Sequence, residues 1–193
     1  PRFVLEVLRQ PLEDGEVVIS RTKHSLKYPA DFMLLGAMNP CPCGYYGDKK
    51  GCSCTDFKRN RYLSKLSGPL LDRIDIRVDV PRLEAEDLMN MAADGEDSAT
   101  IRQRVVNARK IQAKRYADEG ILTNSELNSK QVRKYCTLDD LSKKLLKSAA
   151  IQYGLSGRKF DRILKLARTV ADLEGSEDIK ATNMTQELQY KLG

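Results

Sequence analysis

With 193 residues, 41% of them hydrophobic and 31% charged, the chain can form one large domain or two small ones with packed cores. A mean hydropathy of −0.49 and short apolar runs exclude a membrane-spanning helix, and no charged-then-apolar leader is present, so the expectation is a cytoplasmic protein with no membrane partner. The net charge of +6 and pI near 9.0 permit contact with nucleic acid or nucleotide but fit a solvated basic surface as well.

Phe3, Val4, Val7 and Leu8 recur at helical spacing, and Pro11 is expected to close that helix. Asp14-Gly15 marks a turn, and Val17-Val18-Ile19 reads as a strand. Arg21 to Lys27 is polar and is followed by the apolar run Phe32 to Met38. This pattern predicts a hairpin with a buried return strand over 32–38 and a basic tip of Lys23, His24 and Lys27. A cysteine-rich loop follows. Thr55 to Leu66 has helical spacing, Pro69 suits the start of a short helix, and Ile76, Val78 and Val80 alternate as a strand that Pro81 ends.

Residues 82–97 are acidic and read as a linker. Beyond them only helices are predicted. Ser98 caps one that runs to Tyr116, and Asn128 or Ser129 opens another that ends at Cys136. Thr137 opens a third to Tyr153, Ser156 caps a fourth that stops at Gly175, and Asn183, with Gln186, opens the last. The organisation is therefore α/β over residues 1–81, a linker over 82–97 and an all-α part over 98–193.

Four of the five cysteines form the pattern C-x-C-x8-C-x-C: Cys41, Cys43, Cys52 and Cys54. Four soft ligands suit a structural Zn²⁺, and Gly44, Gly47 and Gly51 would let the loop reverse. Lys49, Lys50, Lys58 and Arg59 are near enough to offset the thiolate charge. Unmetallated or redox-active cysteines and an iron–sulfur cluster are the alternatives. Cys136 reads as a core residue. Asn39, at the end of the expected buried strand, either orients a water or phosphate or caps the turn before Pro40. Arg73 lies between Asp72 and Asp75, so it forms an ion pair or reaches a phosphate. Arg158 stands in the first turn of a helix, against the dipole, which suggests an anionic partner. Ser98 to Ala117 is basic without an acidic residue and reads as a solvated face or a contact surface. No glycine precedes a lysine, so no phosphate-binding P-loop is present.

The stretches VLEVLRQPLEDGEVVISR, YPADFMLLGAMNPCPCGYYGD, LSGPLLDRIDIRVDVP and LSGRKFDRILKLARTVADLEGSEDI together resemble the magnesium-chelatase-related AAA+ ATPases of bacteria over essentially the whole chain. The resemblance implies part of an AAA+ nucleotide-binding sheet followed by a helical lid, cut from a longer protein whose P-loop and Mg²⁺-binding strand lie upstream. It implies that Asn39 is the sensor-1 residue, Arg73 the arginine finger and Arg158 the sensor-2 arginine, all serving ATP. It also makes the hairpin with Lys23, His24 and Lys27 a DNA-contacting pore element. The parent would be a hexameric ring of identical subunits that hydrolyses ATP with Mg²⁺ to remodel DNA, while this chain alone would be inactive. A zinc-loop module that binds nucleic acid and a motor for metal insertion into a tetrapyrrole are the competing expectations.

Overall fold

A computed structural model describes residues 2–21, 24–49, 51–83, 89 and 95–185. Lys23, Lys50, Gln186 and most of the expected linker lie outside the described residues. The chain divides between Ile74 and Asp75 into two compact units. The architecture is mixed, mostly helical, with one small two-stranded sheet among the described residues.

The first unit opens with helices α1 (Arg2–Val7) and α2 (Arg9–Asp14). Pro11 does not close a helix, as its position suggested. It is the third residue of α2, where the missing N–H is one that a helix start leaves unbonded anyway. Gly15 then ends α2 in the left-handed region at φ 66°. Strands β1 (Glu16–Arg21) and β2 (His24–Pro29) pair antiparallel, from Glu16 opposite Pro29 to Arg21 opposite His24. The Ala30 N–H donates to the Gly15 carbonyl at 2.7 Å and closes the hairpin base.

The return strand is thus His24–Pro29, not Phe32 to Met38. Residues 32–38 form no strand, and Met33 and Leu35 are 92% and 91% exposed. Residues 76–80 likewise lie outside any strand, with Val78 and Val80 exposed. The physical reason is shared: a strand exists by pairing its backbone N–H and C=O groups with a neighbour, and neither run has one among the described residues. Helix α3 (Asp56–Leu63) is capped by Thr55, and α4 (Gly68–Leu71) by Ser67 with Pro69 in its first turn.

In the second unit α5 (Ser98–Arg115) is followed by a 3-10 turn (Asn124–Glu126), α6 (Ser129–Tyr135), α7 (Asp140–Tyr153) and α8 (Gly157–Leu173). Residues 181–185 are also helical. Asn128 and Gln131 form a reciprocal capping box, and Ser156 caps α8. Two caps differ from expectation. Asp97 rather than Ser98 accepts the Thr100 N–H, and Asp139 rather than Thr137 accepts the Ser142 N–H, each at 2.7 Å. A carboxylate outcompetes a hydroxyl there because it also meets the positive end of the helix dipole. Asn183 lies inside the last helical segment, where its side chain accepts the Lys180 N–H at 2.8 Å, so it does not open that helix.

The hydrophobic core lies in this unit. Ile163, Leu164, Ala167 and Ala171 of α8 form one stripe, packed with Tyr116, Leu127, Val132, Leu146 and Met184. Cys136 is buried there, as expected, and burial pushes its thiol up to about 11. Beside the stripe runs a buried polar network. Asp172 receives Arg115 at 2.5 and 2.9 Å, Arg168 Nε at 3.1 Å and the Asn124 amide at 2.9 Å. Arg168 also donates to the Ser176 and Glu177 carbonyls at 2.6 Å each. Arg115, read as part of a solvated basic face, is therefore committed inward, and Arg104 is paired with Glu96 at 2.8 and 3.0 Å.

Asp172→Ala should destabilise this unit by about 3–5 kcal/mol, since it leaves two arginine charges without their counter-ion. Chemical denaturation followed by circular dichroism measures the loss. A change below about 1 kcal/mol would show that solvent reaches the network. Burial acts to raise the Asp172 pKa, but Arg115, Asn124 and Arg168 outweigh it and hold the carboxyl below its usual range. Lys134, Tyr135 and Gln131 hold Glu119 at about 2. Both folded-state values are depressed. Their stabilisation is therefore fully present above pH ~4 and is lost as pH falls toward 2. The helical unit should unfold in acid across that window, and the Glu119→Gln and Asp172→Asn variants should each flatten the dependence.

Candidate functional site

The loop after residue 38 brings all four predicted cysteines together. Their sulfurs lie within 4.8 Å of one another. Cys41 Sγ is 3.3 Å from Cys43 Sγ and 3.5 Å from Cys52 Sγ, and Cys43 and Cys52 are 3.6 Å apart. Two successive tight turns accomplish this: the Asp48 N–H donates to the Tyr45 carbonyl at 3.1 Å, and the Gly51 N–H to the Asp48 carbonyl at 3.0 Å. Gly44, Gly47 and Gly51 all take φ of 82–83°, a backbone that a side chain would strain. The Arg59 guanidinium lies 4.2 Å over the Tyr46 ring and pairs with Asp56 at 3.0 Å, which ties the loop to α3.

The electrostatics of the four thiols are split. The Tyr45 N–H, with the Cys41 thiol, lowers Cys43 to about 5. The Cys54 N–H acts to lower Cys52, but burial and the neighbouring sulfurs together push it up to about 12. Several thiolates this close repel one another unless a cation sits among them. A tetrahedral ion with ligand bonds near ~2.3 Å would place its sulfurs about 3.8 Å apart, close to the spacing seen. This cluster could hold a metal ion.

The other candidates have separate surroundings. Asn39 is exposed rather than at the end of a buried strand, and a side chain at Gly44 would stand 3.8 Å from its amide. Arg73 follows α4. Its Nη2 pairs with Glu13 of α2 at 2.9 Å, and its Nη1 donates to the Pro69 carbonyl at 2.7 Å. Sequence proximity pointed to Asp72 and Asp75, whereas the carboxylate that it reaches comes from far upstream. No local pattern could have shown that pairing. Arg158 is exposed in the first turn of α8, in the second unit. His24 is exposed at the start of β2, but Lys27 is not at the hairpin tip: it stands opposite Val18 within the ladder and pairs with Glu16 at 2.6 Å. Lys23 lies outside the described residues.

Two family models match the chain in sequence order. The magnesium chelatase, subunit ChlI, model covers residues 1–88, and its C-terminal counterpart covers 95–191. The chain belongs to the magnesium-chelatase family. Among similar proteins, the competence protein ComM of Haemophilus influenzae is 42% identical over 98% of this chain and 36% of its own length. The uncharacterized protein YifB of Escherichia coli K12 is 38% identical over 98% of this chain and 37% of its own length, and its Salmonella typhimurium counterpart is 37% identical. The chain thus spans about a third of the length of these relatives. Within this magnesium-chelatase-family chain, the first matched region contains the hairpin, the cysteine cluster and Arg73, and the second contains Arg158. Among the described residues no helix is long and apolar enough to cross a membrane.

Proposed function

We propose that this chain is the C-terminal part of an AAA+ ATPase: the end of its nucleotide-binding sheet, then a helical lid. The observation that carries the reading is the ordered match to both magnesium-chelatase regions, over residues 1–88 and 95–191, in a chain that aligns over 98% of its length with a relative about three times as long. In the parent, upstream segments supply the phosphate-binding loop and the Mg²⁺-binding acidic strand. They also supply partners for residues 32–38 and 76–80, whose apolar side chains are exposed here.

The roles are those that the family resemblance implies. Phosphoryl transfer is catalysed mainly by positioning and electrostatic stabilisation. Asn39 orients the attacking water, Arg73 enters the ATP site of a ring neighbour, and Arg158 in the lid senses the nucleotide. Residues 82–97 serve as the hinge between core and lid. Subunits assemble in a hexameric cytoplasmic ring, and the hairpin with Lys23, His24 and Lys27 faces DNA. The cysteine cluster holds a structural Zn²⁺ with all four positions filled by protein, which leaves none for catalysis.

The match to a relative named for competence favours DNA as the substrate, while the family description favours metal insertion into a tetrapyrrole as the second reading. Steady-state ATP turnover by the full-length protein separates them. Stimulation by branched or single-stranded DNA supports the first. Stimulation only by a porphyrin with Mg²⁺ supports the second.

This chain alone should bind Mg-ATP no more tightly than about 1 mM, roughly −4 kcal/mol, and should not hydrolyse it. It has no glycine-lysine pair to cradle the β- and γ-phosphates. Calorimetry and a phosphate-release assay test this. Micromolar affinity or turnover would put the nucleotide site elsewhere.

A further inference from the structure

Arg73 is held by its own chain. Its side chain is only 17% exposed, and that of Glu13 27%. One Nη meets the Glu13 carboxylate at 2.9 Å and the other the Pro69 carbonyl at 2.7 Å. The Nε–H is buried and finds no acceptor among the described residues. The two contacts come from different elements, α2 and the start of α4, so they fix the guanidinium in both reach and rotation. A free arginine side chain samples many rotamers, and ordering it costs entropy that would otherwise fall on the catalytic step.

We infer that Glu13 is a positioning residue for Arg73, keeping the guanidinium aimed for a neighbouring subunit's ATP; this rests on the reading of Arg73 as an arginine finger. Glu13 touches no substrate in this scheme. It acts through Arg73, by carrying Nη2 of the guanidinium while the Pro69 carbonyl carries Nη1.

The test is a double-mutant cycle in the full-length protein, with kcat, KM for ATP and Tm measured for Glu13→Ala, Arg73→Ala and the double variant. Glu13→Ala should lower kcat by about 10²-fold with little change in KM, measured well below its own Tm, as expected for a misplaced catalytic group. It should lower kcat no further when Arg73 is already alanine. Glu13→Gln keeps an acceptor oxygen and should fall between wild type and Glu13→Ala. It also carries the test if the alanine variant fails to fold. Three results overturn the inference while leaving the finger reading intact, given a large Arg73→Ala effect: a kcat within twofold of wild type for Glu13→Ala and Glu13→Gln, equal losses from Glu13→Ala in both backgrounds, or losses that track Tm alone. If Arg73→Ala itself leaves kcat unchanged, the finger reading fails and Glu13 has nothing to position.

Discussion

Arg73→Ala in the full-length protein should cut ATP turnover by about 10³–10⁵-fold and leave ATP binding nearly intact. An arginine supplied across a subunit boundary meets charge that develops in the transition state more than charge already present in bound ATP, so its loss falls on kcat rather than on affinity. Mixed rings give the sharper result. On the proposed ring reading, subunits carrying Arg73→Ala would keep a whole phosphate-binding loop, and subunits without the loop lysine would keep Arg73. Mixing the two rebuilds one kind of complete interface, so part of the activity should return. No recovery in rings shown to contain both variants would mean that the Glu13–Arg73 pair is only an internal ion pair. A lysine at position 73 should restore little, because an ammonium lacks the planar fork that contacts two oxygens at once.

Protein purified without chelator should carry about one zinc per chain at the four-cysteine cluster, and removing it should collapse the loop. Structural zinc contributes apparent binding energies of about 10–16 kcal/mol in small sites near pH 7, and that energy is folding energy where little else orders the segment. The first unit fits that condition: its buried side chains include Cys41, Pro11, Ser67 and Leu70, while the hydrophobic cluster lies wholly in the second. Stripping the metal should therefore open the cluster to thiol reagents, led by Cys43, whose thiol is lowered to about 5, and leave the unfolding of the helical unit unchanged. Cys136 should stay slow toward thiol reagents, being buried and pushed up to about 11. Zinc binding at pH 7 should release protons, because Cys52 is held at about 12 without a cation and must ionise to become a ligand. Affinity should fall as pH falls. Four free thiols and no metal in folded, freshly reduced protein would sink the zinc reading.

Local chemistry was legible in the residues alone. The first hairpin strand around Val17–Ile19, the caps at Asn128 and Ser156 and the stripe along α8 follow from nearest neighbours and from residue periodicity. So does the meeting of four cysteines, because the turns that bring them together lie between them in sequence. Tertiary context decided the rest. Residues 32–38 and 76–80 have strand-like composition, yet strand formation depends on a neighbour that composition does not report. Arg115 belongs by spacing to a basic face, but Asp172, distant in sequence, draws it inward. Arg73 stands beside two carboxylates in sequence and reaches a third, Glu13, that only folding brings near. Periodicity, caps and short loops are set within a few residues, so sequence by itself determined them; charge partners and strand partners are chosen across the chain, where only the packed structure specifies which groups meet.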